Sequence, residues 1–362
     1  MEKCKTNGTA NTSECSHHVM AMECYMVLST PAQKMAVAVL CSIVGTLCIL
    51  ENLLVLYLIF SSPRIHKKPS YLLISSLALA DLLASIIFVC SFVHFHVFNG
   101  TDSSKDIFLL KLGGVTTSFT ASLGSLLLMA FDRYICIHRP SEYKVIVTKR
   151  RALVALAVLW ATTMSIAFLP LMGWNCCLLH STCSELFPFV DNKYLSSWIS
   201  LVLILLVAIV YAYVHVLYKA HKHVAYMQTH QAGQQKAKMR MDVMLTKTLM
   251  IVLMVLMTCW SPALALMAYS AFAELDDHIR TVFAFCSTLC LVNSMVNPII
   301  YALRSRELHS SLRGVSSWFR RKLTWLGISA SNPEADSTQK SSTLGTICED
   351  AVCNTDIQVL KD

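Results

Sequence analysis

Seven apolar runs leave this chain few folds to choose from. They span Met35 to Phe60, Tyr71 to Val97, Ile107 to Ile137, Ala152 to Trp174, Leu195 to Tyr218, Val243 to Ala273 and Thr281 to Leu303. A hydrocarbon layer about 30 Å thick takes about 20 such residues in a helix, which satisfies its own backbone there. The third and sixth runs exceed that need, which predicts tilt or projection beyond the bilayer. The expected fold is an all-α membrane protein, a seven-transmembrane helix bundle. Composition agrees: 55% of residues are hydrophobic and only 14% charged, against about a quarter in soluble domains. No internal repeat is visible, which disfavours an inverted-repeat transporter.

Loop charge predicts orientation. One set of loops carries Arg64, Lys67 and Lys68, then Arg139, Lys144, Lys149, Arg150 and Arg151, then Lys219, Lys222, Lys236, Lys238 and Arg240; the other carries only Lys105, Lys193 and Arg280. The basic set is assigned to the cytosol, which puts the N-terminus outside and the C-terminus inside. This also accounts for the net charge of +8 without nucleic acid, since no basic stripe interleaves with stacking aromatics. Residues 1–33 form a polar outer tail without the apolar core of a signal peptide, so the first span is expected to direct insertion. That tail carries glycosylation sequons at Asn7 and Asn11, and the first outer loop another at Asn99.

Of the fifteen cysteines, Cys41, Cys48, Cys90, Cys136, Cys259, Cys286 and Cys290 lie in or at the ends of spans, where Cys is a small buried residue. Cys176, Cys177 and Cys183 share an outer loop, where an oxidising compartment favours one short-loop disulfide, and Cys4, Cys15 and Cys24 could hold a second. No zinc pattern fits, because His94 and His96, two apart, point to different faces of a helix.

An ionisable group inside a span is costly and marks function by default. Asp81 is the clearest, and Asn52, Ser122, Asn293, Ser294 and Asn297 also fall inside spans. Together they could line a hydrated cavity that binds a cation; the alternative is a protonated, hydrogen-bonded Asp81. Pro262 follows Cys259-Trp260-Ser261, and Pro298 sits in Asn297-Pro298-Ile299-Ile300-Tyr301. Each kinks its helix by removing one backbone bond, as an adjustable joint or as a static bend.

Asp132-Arg133-Tyr134 ends the third span, Asp81 lies in the second, and the two proline motifs lie in the sixth and seventh, with Asn52 and Trp160 in the first and fourth. In this order the chain resembles the rhodopsin-like (class A) G-protein-coupled receptors over about residues 34–320. Longer stretches, including KPSYLLISSLALADLLAS, FLLKLGGVTTSFTASLGSLLL, CSELFP and VFAFCSTLCLVNSMVNPIIYALRS, resemble the cannabinoid receptor family. Two departures from the wider class fit that family. The fifth span has Leu205 near the usual proline, and the third lacks its outer cysteine.

The resemblance implies roles. Arg133 would pair with Asp132 and, at rest, with Asp242; Tyr213 and Tyr301 would catch it once the sixth helix swings out to admit a G protein. Tyr134, Trp260, Asn297 and Pro298 complete the switch. A sodium ion would sit among Asp81, Ser122, Asn293 and Asn297. Val115 stands where an amine receptor has an aspartate, and Lys111-Leu112 where a lysophospholipid receptor has an Arg-Glu pair. The outer halves of the spans are rich in aromatic residues, which suits a neutral lipid such as anandamide or arachidonoylglycerol. Ligand contacts by position would be Phe88, Phe92, Phe95, His96, Phe108, Lys111, Val115, Thr116, Phe119, Phe187, Trp198, Trp260, Phe283 and Ser287. For Lys111 the alternative is a lysine that simply reaches the interface. Cys176 would pair with Cys183, with Cys177 as competitor. Gi/o proteins, arrestin and receptor kinases are the implied partners, at the plasma membrane, with no cofactor beyond the ion.

After the seventh span, Leu308, Leu312, Val315 and Phe319 recur at helical spacing among Arg306, Arg313, Arg320 and Arg321. This predicts an amphipathic helix over 304–326 on the inner leaflet. Residues 327–362 read as a disordered cytosolic tail. Its Ser337, Thr338, Ser341, Ser342 and Thr343 are candidate phosphorylation sites, or a passive linker. Three rival classes fare differently on these residues. A channel or transporter lacks a polar path, an intramembrane hydrolase lacks HExxH or GxSxG, and a receptor for another lipid would share the fold.

Overall fold

The computed structural model describes residues 25, 28, 30–62, 65, 67–98, 104–139, 141–230, 235–273 and 275–304. Among these are nine helices: α1 (Pro31–Ser61), α2 (Pro69–His96), α3 (Lys105–His138), α4 (Tyr143–Ile146), α5 (Lys149–Ala167), α6 (Cys176–Leu179), α7 (Asn192–His230), α8 (Gln235–Ser270) and α9 (Asp277–Arg304). Seven are long, and six of these carry a stretch long and apolar enough to cross a bilayer; the remaining one, α8, has an apolar part over Met254–Ser270. The chain is a multi-pass helical membrane protein. The proposed helix over 304–326, the phosphorylation cluster and the sequons at Asn7, Asn11 and Asn99 fall outside the described residues.

Local sequence sets the starts. Thr30 caps α1 with a reciprocal box, Thr30 Oγ1 accepting from Gln33 N at 3.2 Å and Gln33 Oε1 accepting from Thr30 N at 3.2 Å. Proline occupies the first helical position of α1 and α2, where its missing N–H has no partner to lose. Ser104 and Thr148 cap α3 and α5 with their hydroxyls. One expectation is corrected here. The fifth span, read as ending near Tyr218, continues as helix to His230, and the sixth begins at Gln235 rather than Val243. Helix geometry does not stop where apolarity does; Lys, His and Gln are tolerated in a helix once it leaves the lipid.

The long helices pack α1 against α2, α2 against α5, α7 against α8, α8 against α9, and α9 back on α1. The link from α5 to α7 runs through α3, which contacts α2, α5 and α7. Outward faces are apolar, with Leu50, Val207 and Met254 exposed, as lipid contact requires. Small residues allow close approach: a Cβ on Gly113 would lie 2.6 Å from the Phe168 ring.

Candidate functional site

At one end of the bundle a cavity opens between α2, α3, α7, α8 and α9. All fourteen positions implied as ligand contacts border it. Helical spacing explains most of this. Phe88, Phe92 and Phe95 recur at steps of four and three on α2, and Phe88 stacks on Phe92 at 4.9 Å. Lys111, Val115 and Phe119 recur at steps of four on α3. The aromatic wall is continuous across helices. Phe88 meets Phe119 at 6.0 Å, Phe119 meets Trp260 edge-on at 5.4 Å, and Phe187 meets Phe283 edge-on at 5.8 Å.

Polar groups on this wall are few. His96 Nδ1 is buried and has no hydrogen-bond partner. Ser287 Oγ donates to Phe283 O at 2.8 Å, and Trp198 Nε1 donates to Thr120 Oγ1 at 3.2 Å. His94 stays exposed at the rim while His96 is half-buried, so the two do point apart. Several lining residues escaped sequence reasoning: Tyr25, Glu185, Tyr194, Met267 and Arg280. Arg280 Nη2 lies 3.4 Å from Glu185 Oε2, whose other partner is Leu275 N at 2.6 Å. Tyr25 Oη donates to Ser184 O at 3.1 Å, and burial pushes its pKa up to about 12, so it remains a donor.

The loop beside the cavity is held by two devices. Cys176 and Cys183 form a disulfide. Asp191, 1% exposed, accepts from Trp174 Nε1 at 3.2 Å, from Lys193 N at 2.9 Å, from Tyr194 N at 3.0 Å and from the Ser181 hydroxyl. One carboxylate thus starts α7 and ties the loop to it.

Deeper in the bundle Asp81 is fully buried. Its Oδ1 accepts from Ser122 Oγ at 2.7 Å and Ser294 Oγ at 2.9 Å, and its Oδ2 from Asn297 Nδ2 at 2.9 Å. Of the two adjacent polar residues expected near Asp81, both buried, Ser294 makes the hydrogen bond and Asn293, turned by about 100° on the helix, makes none to it. Asn52 Nδ2 bridges to Ser294 O at 3.3 Å while its Oδ1 lacks a partner. These hard oxygens suit an alkali or alkaline-earth cation better than a soft metal. No cluster of three or more metal-ligating His, Cys, Asp or Glu occurs among the described residues.

At the opposite end, Arg133 lies along Asp132, with Nε at 3.0 Å and Nη2 at 2.5 Å from Oδ2. Arg133 Nη2 also donates to Ser70 Oγ at 2.8 Å. Tyr143 Oη on α4 donates to Asp132 Oδ1 at 2.7 Å. Burial first, and then the Asp132 charge, push the Tyr143 pKa up to about 12. Tyr134 stacks on His138 and tilts against His215, and Tyr213 is buried. The side chains of Asp242 and Tyr301 lie outside the described residues.

The pattern of the 7 transmembrane receptor (rhodopsin family) matches residues 51–301. Cannabinoid receptor 2 of Homo sapiens is 53% identical over 332 residues, covering 91% of each chain. That of Mus musculus is 54% identical over 329 residues, 90% of this chain and 94% of its own. This chain belongs to the rhodopsin family, among the cannabinoid receptors. Cannabinoid receptor 1 of Xenopus laevis is 50% identical over 320 residues, 84% of this chain and 67% of its own. As a cannabinoid-type receptor, the chain has no catalytic centre to account for. An aromatic-lined cavity lies at one end and the Arg133–Asp132 pair at the other, with the Asp81 cluster between them.

Proposed function

We propose that this receptor binds neutral lipid endocannabinoids, such as anandamide and arachidonoylglycerol, in the aromatic cavity, and in response activates Gi/o proteins that inhibit adenylate cyclase. One observation carries the reading: the wall is mostly aromatic and aliphatic, Val115 stands where an ionic anchor would be, and the buried His96 Nδ1 is left over for a neutral headgroup. Charges at the rim, Glu185 and Arg280, offset each other. Agonist would part Phe119 from Trp260, α8 would swing out, and Arg133 would leave Asp132.

The remaining roles follow the same reading. The receptor sits in the plasma membrane with the sequon-bearing tail outside and the basic loops in the cytosol. Sodium binds at Asp81, Ser122, Ser294 and Asn297 and favours the resting state. Receptor kinases phosphorylate the C-terminal tail, and arrestin follows. The type 2 branch is favoured by LMGWNCC and SMVNP, and by the higher identity to cannabinoid receptor 2 of Homo sapiens, 53%, than to cannabinoid receptor 1 of Xenopus laevis, 50%. HRPSEY, IVTKR and KLGGV are type 1 in character.

The test is guanine-nucleotide loading in membranes from cells expressing the chain, with anandamide, arachidonoylglycerol and a lysophospholipid. Stimulation by the first two alone, lost in Arg133→Ala at equal surface expression, is the expected result. Stimulation by the lysophospholipid alone would overturn the ligand class. Silence from all three at full surface expression would overturn the Gi/o assignment with these ligands.

A further inference from the structure

Between Arg151 and Glu185 the sequence carries no Asp, Glu, Lys or Arg. Helix α5 uses only the first part of this run, because it ends at Ala167. Its 19 residues rise about 28 Å, close to the roughly 30 Å of a hydrocarbon layer. Lys149, Arg150 and Arg151 open it at one polar boundary. Ala167 therefore falls at the other, where acyl chains meet headgroups. That is the cavity end, since the cavity-lining Tyr194 donates from Oη to Ile166 O at 3.2 Å.

The chain after α5 turns back onto this level. Trp174 N donates to Leu169 O at 2.9 Å, and Asn175 Nδ2 to Pro170 O at 2.9 Å. The Trp174 ring packs on Tyr194 with centroids 5.9 Å apart. A Cβ on Gly173 would lie 3.1 Å from Leu178 Cδ2, so α6 lies over the same turn. The product is an apolar patch in which Met172 is 76% exposed, Leu178 63%, Leu179 51% and Trp174 37%. The outward face of α5 leads up to it, with Met164 exposed one turn before the helix end.

The backbone of the patch is suited to little water. Met172 N and Gly173 N donate to Phe168 O and Pro170 O, Cys176 N to Phe189 O, and Leu178 N and Leu179 N to Asn175. A loop that spends its amides inward while turning large apolar side chains outward meets the condition for entering a bilayer interface. Trp174, its N–H held by Asp191, is the amphipathic kind of ring that gathers there.

We propose that this loop is seated in the leaflet at the cavity end, with Met172, Leu178 and Leu179 among the acyl chains just below the headgroups and Trp174 as the interfacial anchor. The seating bears on the cavity because the loop is tied to its wall. Cys176 is bonded to Cys183, and Asn175 pairs with Val190 in an isolated bridge. Phe187 and Val190 line the cavity. The leaflet thus helps to position that wall, whatever ligand the cavity takes.

The unaltered full-length receptor tests this. It is reconstituted at one copy per nanodisc in phosphatidylcholine with a photoactivatable diazirine near the glycerol end of one acyl chain. After irradiation and reduction, cleavage after Arg151 and Glu185 releases residues 152–185, and mass spectrometry locates the lipid adducts. Adducts are expected on Met172, Leu178 or Leu179 as well as on α5. Adducts confined to Ala167 and earlier positions overturn the proposal. Hydroxyl-radical footprinting of the same discs gives a second reading. Met172 should oxidise several-fold more slowly than in denatured receptor, as Met164 does; an unchanged Met172 rate beside a protected Met164 overturns the seating. Protection of Met172 without adducts would place another part of the chain on the patch and overturns the lipid assignment. Leu178→Asp combined with Leu179→Asp should remove the loop adducts and leave those on α5, and loop adducts that persist would overturn the role of these two leucines.

Discussion

Phe119 on α3 and Trp260 on α8 meet edge to face, with ring centroids 5.4 Å apart and planes at 89°. Such a contact contributes about 0.5 to 1.5 kcal/mol beyond the area it buries. Both rings also line the cavity, so a ligand between them competes with the contact directly. If the pair holds α8 at rest, Phe119→Ala shifts the resting equilibrium by roughly two- to tenfold toward the active state. Basal nucleotide loading should rise by that order while expression holds. An unchanged basal rate would mean that the contact forms equally in both states.

Tyr143 and Asp132 make the second prediction. Tyr143→Phe removes the donor at 2.7 Å from a buried carboxylate oxygen, while Ser70 and Arg133 stay on the other oxygen. Leaving that acceptor unpaired costs about 1 to 3 kcal/mol. The pH dependence has a definite sign. The folded Tyr143 pKa lies above its ordinary value, so its contribution is complete below about pH 10 and declines as pH rises toward 12. Thermal melting of detergent-solubilised receptor should show a constant deficit for the variant from pH 6 to 9. A deficit that changes across that interval would contradict the raised pKa.

The helices and the cavity wall were legible because period and polarity survive in one dimension. A Phe every three or four residues on α2 and a Lys-Val-Phe series on α3 define faces, and converging faces define a cavity. Tyr25, Glu185 and Arg280 were not legible, because their position depends on how a tail, a loop and a helix end fold back, which no local period encodes. Which of Asn293 and Ser294 bonds Asp81 was not legible for a different reason. Either side chain can pair with a carboxylate, and only the rotation of α9 about its axis decides which one faces Asp81. The helical extension to His230 was hidden because hydropathy reports lipid contact rather than helix.

Asp191 gives a prediction in which two substitutions of similar size differ. Its Oδ1 accepts Trp174 Nε1 and the Lys193 and Tyr194 amides, and its Oδ2 accepts only the Ser181 hydroxyl. Asp191→Asn keeps the oxygen that caps α7 and loses one partner. Asp191→Ala loses every partner at a buried site, with a cost of about 2 kcal/mol or more for the cap and the indole together. Surface expression and agonist binding should be nearly normal for Asn and strongly reduced for Ala. Equal losses would mean that charge at Asp191 matters rather than its hydrogen bonds.

The Asp81 cluster supplies the last prediction. Two hydroxyls and one amide converge on a fully buried carboxylate, and Asn52 Oδ1 is an open acceptor on a residue that also bonds Ser294 O. A small cation held there would favour the packing in which α2, α3 and α9 stay together, and agonist would oppose it through reciprocal linkage. Replacing choline by sodium in an agonist-displacement assay should therefore weaken agonist binding several-fold in the wild type. Asp81→Asn should abolish that difference, because the cation loses its counter-charge. Ser294→Ala should reduce it, and Asn293→Ala, whose side chain makes no hydrogen bond to Asp81, should leave it intact. A sodium effect that tracks Asn293 instead of Ser294 would show that the resting receptor turns α9 differently about this site. Sodium sensitivity surviving in Asp81→Asn would remove the ion from the cluster.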